Sequence, residues 1–150
     1  VACMRKKGFT VLELLIVIVI LGVLALIAVP LLLHCAQKAK EGVIKGNVSA
    51  AASTATTYLT VEGYDGQASA EYAAEGLNAG GDGKEGSLDD PKSPFDEKKP
   101  AYVLNGSGPG QVQISGDADL NYILIKGYGK DGRTAVSTKT IKGFNEAEGL

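Results

Sequence analysis

One carboxylate stands at the start of a long apolar run, and its position requires a chemical explanation. Glu13 follows the sequence K-K-G-F-T-V-L of residues 6–12, and an uncharged apolar stretch extends from Leu14 to Leu33. As a helix, this stretch would span about 30 Å, which is the thickness of a bilayer's hydrocarbon core. A carboxylate in such a span costs about 2.5 kcal/mol or more at the bilayer centre, and less toward the interface.

Two interpretations of Glu13 follow from this cost. In the first, Glu13 lies at the level of the lipid headgroups and reaches water. In the second, a cation inside the membrane pairs with the carboxylate. A cut between Gly8 and Phe9 would supply that cation, because it would create a free amino group on Phe9.

The rest of the sequence contains little that indicates catalysis. It has no nucleophile motif and no Cys/His metal cluster, and residues 80–84 lack the spacing and the Ser/Thr of a phosphate-binding loop. The sequence that begins with Asp117 and Asp119 has the first residues of an EF-hand calcium-binding loop. Tyr122, however, replaces the required Gly, and Tyr128 replaces the final Glu. We therefore expect no enzyme, no cofactor and no metal site, with Asp117 and Asp119 as minor calcium candidates.

The residues around the possible cut form an ordered motif, Lys7-Gly8-Phe9-Thr10-Val11-Leu12-Glu13. This motif resembles the processing site of type IV pilins and pseudopilins. That family has a short basic leader ending in Gly, a Phe after the cut, and a Glu at the fifth mature position. Pro30 also falls where pilins have a proline in the membrane-embedded helix. The resemblance covers about a fifth of the chain.

The resemblance implies a sequence of processing and assembly steps. A prepilin peptidase would cut between Gly8 and Phe9 and methylate the Phe9 amine. Copies would then form a helical filament in which Glu13 of one subunit pairs with the Phe9 amine of a neighbour. The implied partners are other copies of the chain, the peptidase, the pilus assembly platform with its ATPase, and the cytoplasmic membrane.

The leader, residues 1–8, differs from an ordinary secretory signal, because its basic group directly precedes the apolar run. The positive-inside rule predicts a cytoplasmic N-terminus and a single membrane pass. After assembly, the resemblance implies a pilus at the cell surface. We expect the leader to start at Val1 or at Met4.

The net charge limits the possible partners, and the cysteine content limits the possible disulfide cross-links. Loss of Arg5, Lys6 and Lys7 with the leader leaves 12 basic and 17 acidic residues, a net charge of −5. We therefore expect no general nucleic-acid binding. Only Cys35 would remain after cleavage, whereas many pilins close their C-terminal loop with a disulfide. Another device must hold that region, and Cys35 is interpreted as a small residue at a helix packing surface.

We predict an α+β fold, with a long N-terminal helix and a small antiparallel sheet of about four strands on its C-terminal half. The helix should extend from Phe9 to about Leu59, because an apolar stripe recurs every three or four positions after His34. The stripe consists of Ala36, Ala39, Val43, Ile44, Val48, Ala51, Ala52, Ala55, Tyr58 and Leu59. Gly22 and Pro30 predict a kink, since proline removes one backbone hydrogen bond and clashes with the preceding turn. The chain should divide into the leader 1–8, a transmembrane and filament-core helix 9–33, an amphipathic continuation of that helix 34–60, and a head 61–150. Within the head we expect a connecting loop 61–100, an antiparallel sheet 101–142 and a tail 143–150.

Local signals refine the prediction for the head. Gly63 and Gly66 should end the first helix. A short helix over 69–77 should begin with Ser69 as its N-cap. Strands are predicted at residues 101–104, 111–114, 120–126 and 133–141, with the third strand central.

The most favoured function is a structural subunit of a type IV pilus that serves adhesion, twitching motility or DNA uptake. One alternative is a pseudopilin of a type II secretion or competence system. Another, of a different class, is a signal-anchored membrane protein that does not polymerise and whose outer domain binds a ligand.

Overall fold

The computed structural model describes residues 8–79 and 90–143. Contacts divide the chain into an N-terminal unit that ends at Lys38 and a C-terminal unit that begins at Ala39. The described elements are α1 (Val11–Thr60), α2 (Gly66–Asn78), β1 (Tyr102–Val103), β2 (Val112–Asp117), β3 (Tyr122–Tyr128) and β4 (Ala135–Lys142). The predicted α+β fold with one long N-terminal helix and four strands is confirmed.

The second half of α1 supplies one side of the core. Its buried residues are Ile44, Val48, Ala51, Ala52, Ala55 and Leu59. Each belongs to the apolar stripe predicted from the sequence, and their spacing of three or four places them on one face. Thr60 ends the helix, and Gly63 follows with a φ of +71°, a conformation that favours glycine. The prediction that Gly63 ends α1 is therefore confirmed.

The start of α2 differs from the prediction. Asp65 is the N-cap and accepts a hydrogen bond of 2.8 Å from the backbone N–H of Ala68. The predicted cap, Ser69, is instead buried inside the helix, and Gly66 begins α2 rather than ending α1. Glycine is needed there because a Cβ would collide with a backbone carbonyl oxygen at the end of β2.

The four strands lie in the order β1-β2-β3-β4, so β3 is internal, as predicted. β2, β3 and β4 pair antiparallel, but β1 pairs parallel to β2, and the sheet is mixed. The expectation of a wholly antiparallel sheet is wrong for β1. The connection between β1 and β2 contains Gly106 and Gly110, both with positive φ. The chain thus reverses twice and enters β2 in the direction of β1.

Two strands begin later than predicted because polar turns precede them. The carboxylate of Asp117 accepts from the backbone N–H of Leu120 at 2.9 Å, and Asn121 has a φ of +46°. β3 therefore begins at Tyr122 rather than at Leu120. Asp131 accepts from the backbone N–H groups of Arg133 and Thr134, which keeps these residues in the turn before β4.

The core lies between α1 and the sheet. Ile44 and Val48 of α1 belong to one buried cluster with Val112, Ile114, Ile123 and Ile125 of β2 and β3. Gly127 of β3 lies directly against α1, where an added Cβ would be 2.5 Å from Ile44 Cγ2 and 2.7 Å from Val48 Cγ2. The sheet therefore approaches the helix closely at this position because glycine has no side chain.

Side chains hold the segment that leads to β1 and β2. Asn78, at the end of α2, donates to the carbonyl of Tyr102 at 2.9 Å and accepts from its N–H at 3.3 Å. The buried Ser93 hydroxyl donates to the carbonyl of Pro109 and accepts from the backbone N–H groups of Phe95 and Asp96. These hydrogen bonds tie the end of α2 to β1, and Ser93 to the chain just before β2. The device other than a disulfide that the sequence predicts for the C-terminal region stays a prediction, since residues 144–150 lie outside the described residues.

Candidate functional site

The peptide bond between Gly8 and Phe9 lies before α1 and outside regular secondary structure. Phe9 is 85% exposed. No atom lies within 4 Å of the position that a Cβ on Gly8 would occupy, apart from the chain neighbours. An enzyme that cleaves here would therefore meet an accessible peptide bond that does not need to be unwound from a helix.

Glu13 and Thr10 together cap the first turn of α1. The backbone N–H and the hydroxyl of Thr10 donate to Glu13 Oε2 at 2.9 Å and 3.1 Å. The N–H of Glu13 donates to the Thr10 hydroxyl oxygen at 3.2 Å. This reciprocal arrangement is a capping box, which satisfies donors that the helix leaves unpaired. The sequence interpretation missed Thr10, although a Thr three residues before a Glu and an apolar run is its recognised signal.

One carboxylate oxygen of Glu13 stays available in this arrangement. Both hydrogen bonds from Thr10 reach Oε2, and Oε1 accepts none from the described residues. Phe9 is still joined to Gly8, so it carries no amino group with which Glu13 can pair. The predicted pair between Glu13 and a neighbour's Phe9 amine stays a prediction.

The apolar run is exposed along its whole length. Every residue from 8 to 40 is exposed, and side chains such as Leu26 and Ile27 are 78% and 68% accessible. The helix is long and apolar enough to cross a membrane. Such an apolar surface is unfavourable in water, so this segment needs lipid or other apolar helices around it.

The predicted helix weak points lie within a continuous helix. Gly22 and Pro30 both fall inside α1, which is helical from Val11 to Thr60. A kink or local melting at these residues stays a prediction. His34 and Cys35 are exposed on the same helix, and Cys35 is a free thiol.

The minor calcium candidates lie in the hairpin between β2 and β3. Asp117 uses one carboxylate oxygen to cap this turn, and Asp119 is exposed. Within residues 8–79 and 90–143, no group of three or more His, Cys, Asp or Glu side chains is arranged to hold a metal ion. The structure therefore adds no further ligand to this pair.

Comparisons with known proteins agree with the N-terminal geometry. The family described as the prokaryotic N-terminal methylation motif matches residues 3–29. A type II secretion system core protein G from Pseudomonas aeruginosa is 39% identical over 54 residues, which are 36% of this chain and 38% of that protein. No solved structure matches.

Two fimbrial proteins, also from Pseudomonas aeruginosa, align over nearly the whole chain. Each is 28% identical over 145 residues, which are 97% of this chain and 82% of the fimbrial protein. The chain thus spans under two fifths of the secretion relative but most of the fimbrial relatives. The methylation motif, both kinds of relative and the long-helix α+β fold agree in making this chain similar to type IV pilins and pseudopilins.

Proposed function

We propose that this chain is the structural subunit of a type IV pilus filament. The observation that carries the proposal is the order of features at the N-terminus. An accessible Gly8–Phe9 bond precedes a capped helix start at Glu13, and a fully exposed apolar helix follows directly. This order suits a membrane protein that loses its basic leader and then exchanges lipid contacts for contacts with its own copies.

The first step is processing in the membrane. The chain inserts with its basic N-terminus in the cytoplasm, and residues 9–33 form its single membrane helix. A prepilin peptidase cuts before Phe9 and methylates the new amine, which keeps its positive charge. Residues 1–8 are the leader, and the continuation 34–60 joins the membrane helix to the head, residues 61–150.

The second step is assembly. An assembly platform driven by an ATPase transfers processed chains from the membrane into a filament whose core is built from the apolar helices. In that dry core an unpaired carboxylate is expensive, so Glu13 pairs with the Phe9 amine of an adjacent copy. Since only one axial position satisfies both charges, the pair fixes the register between subunits. The role is structural and requires no catalysis, cofactor or metal.

A second candidate is a pseudopilin of a type II secretion or competence system. The 39% identity with the secretion protein, over 36% of the chain, favours it. The fimbrial proteins align along 97% of the chain, and this greater coverage favours a pilus subunit. No observation favours the third interpretation, an anchored ligand-binding protein that does not polymerise.

Replacing Gly8 tests the processing step. Gly8→Ala should leave the leader attached and keep the chain in the membrane, because the processing motif that this chain resembles has glycine directly before the cut. Gly42→Ala is a matched control, since both glycines have open space where a Cβ would be and Gly42 lies outside the apolar segment. Cell fractionation and intact mass should show the control processed and present in sheared filaments. Filaments built from uncleaved Gly8→Ala chains would contradict the proposal.

A further inference from the structure

The connection between β1 and β2 contains the sequence's one asparagine that directly precedes a glycine, Asn105 followed by Gly106. Both residues are exposed and lie outside regular secondary structure. An asparagine side chain can react with its own main chain, because its amide carbon and the next backbone nitrogen can close a succinimide ring. A glycine at the next position offers the least steric hindrance to that closure, since it has no Cβ.

Neither of the two reacting groups is restrained. Within the described residues, the side-chain amide of Asn105 and the backbone N–H of Gly106 make no hydrogen bond. Gly106 has a φ of +105°, and no atom beyond the chain neighbours lies within 4 Å of the place where its Cβ would be. An exposed loop without such bonds can rotate into the geometry for ring closure without unfolding the domain.

The other asparagines in the described part of the chain are all held in place. Asn47 lies inside α1, where the backbone around it is helical. The side chain of Asn78 makes two hydrogen bonds with the backbone of Tyr102. Asn121 directly precedes the first residue of β3, which is paired on both sides. Ring closure at any of these positions would first have to break regular structure or these bonds.

We propose that Asn105 is a site of spontaneous deamidation in the folded chain. The Gly106 nitrogen loses its proton to hydroxide and attacks Asn105 Cγ, and the side-chain nitrogen leaves as ammonia. Water then opens the succinimide at either carbonyl, which leaves an aspartate or an isoaspartate at position 105. The balance is one water consumed and one ammonia released, with no oxidant and no enzyme. This inference is independent of the proposed pilus function.

The product would place a new carboxylate where α2 meets the sheet. Asn105 lines a groove together with Gln67 and Glu71 of α2 and Ile114 of β2. A carboxylate at position 105 would repel that of Glu71 across this groove. An isoaspartate would also add one CH2 to the main chain beside β1, which pairs with β2 over two residues. Deamidation should therefore loosen the contact of α2 and β1 with β2.

Incubation of the full-length chain in nonionic detergent, at neutral and at mildly alkaline pH, tests the site. Peptide mapping by mass spectrometry should show the Asn105 peptide heavier by the difference between OH and NH2, and an isoaspartate-specific methyltransferase should label it. The conversion should be faster at the higher pH, because the attacking nitrogen must lose a proton. Its rate in the folded chain should be within about tenfold of the rate in denaturant, since the loop is unrestrained. The peptides of Asn47, Asn78 and Asn121 are the internal controls and should stay unchanged.

Two substitutions at the same position separate the chemistry from its consequence. Asn105→Gln keeps an amide but lengthens the side chain, so the mass change should disappear while the melting temperature matches that of fresh wild type. Asn105→Asp carries the product's charge and should melt at a lower temperature than Asn105→Gln. An Asn105 peptide that stays unchanged in the folded chain while it converts in denaturant would overturn the proposal. Equal melting temperatures of the two variants would overturn the predicted loosening of α2 and β1.

Discussion

At the scale of single residues, Glu13 has a different role at each stage of the proposed pathway. In the unprocessed chain its carboxylate caps α1 by bonding to Thr10, with one oxygen left over. In the proposed filament, that same carboxylate would form an ion pair with the positively charged Phe9 amine of a neighbouring subunit. The capping role keeps Glu13 at the start of the helix, where a new cation can reach it.

Two substitutions separate these roles. Glu13→Gln preserves a capping side chain but removes the charge, so cleavage should continue while filament yield falls more than about tenfold, because the Phe9 amine is then buried unpaired. Thr10→Val removes the cap and keeps the charge, and it should cost only about 1 kcal/mol of helix stability. Intact mass and the yield of sheared filaments measure both effects. An unchanged filament yield in Glu13→Gln together with a large loss in Thr10→Val would show that capping, rather than charge, is what assembly requires.

Asp131 is a second residue whose contribution can be measured, because its hydrogen bonds make the stability of the fold depend on pH. A hydrogen bond from the Thr134 hydroxyl, and then the backbone N–H groups of Thr134 and Arg133, lower the pKa of Asp131 from 3.8 to about 2. The folded chain therefore releases this proton at a lower pH than the unfolded chain does. The resulting stability is present above an ordinary aspartate pKa and is lost as pH falls through about 2.

Asp131→Ala should therefore lower the melting temperature near neutral pH, and the difference from wild type should shrink below about pH 4. Thermal unfolding of the chain in nonionic detergent, followed by circular dichroism, measures this difference. Asp119→Ala removes another exposed carboxylate of a turn and serves as the control. A difference from wild type that stays constant down to about pH 2 would contradict the assigned hydrogen bonds.

At the scale of elements, periodicity was the informative signal. The apolar stripe identified every residue that α1 buries, because one helix face packs on one sheet. The start of α2 was harder to predict, since Asp65 and Ser69 are both capping residue types and only the fold decides which one is exposed. The parallel pairing of β1 was not predictable, because it depends on contacts between residues distant in sequence, such as Asn78 with Tyr102.

Glycine substitutions test the packing of these elements. Gly127→Ala should destabilise the head by about 1–3 kcal/mol, because its Cβ would press on Ile44 and Val48. Gly42→Ala, in the same helix as those contacts but with open space around it, should stabilise the chain by about 0.5–1 kcal/mol. Chemical denaturation in detergent compares the two. A destabilising Gly42→Ala together with a neutral Gly127→Ala would contradict the close approach of β3 to α1.

At the scale of the whole molecule, a short motif carries most of what the sequence alone reveals about function. The apolar run and the leader can be predicted from the sequence because their constraints are local. The thickness of a membrane sets the length of the apolar run, and a peptidase recognises residues that are adjacent in sequence. The exposed apolar helix is thus the element on which the proposed attachment to membrane and filament depends.

The central claim is that proteolysis creates the cation that a carboxylate in the filament core needs. Intact mass of the subunit from sheared filaments tests it most directly. We expect a chain that begins at Phe9 and carries one added methyl group, so that it is heavier than residues 9–150 by the mass of one CH2. Filaments built from chains that retain residues 5–8 would contradict the claim, because Phe9 would then have no amino group to pair with Glu13.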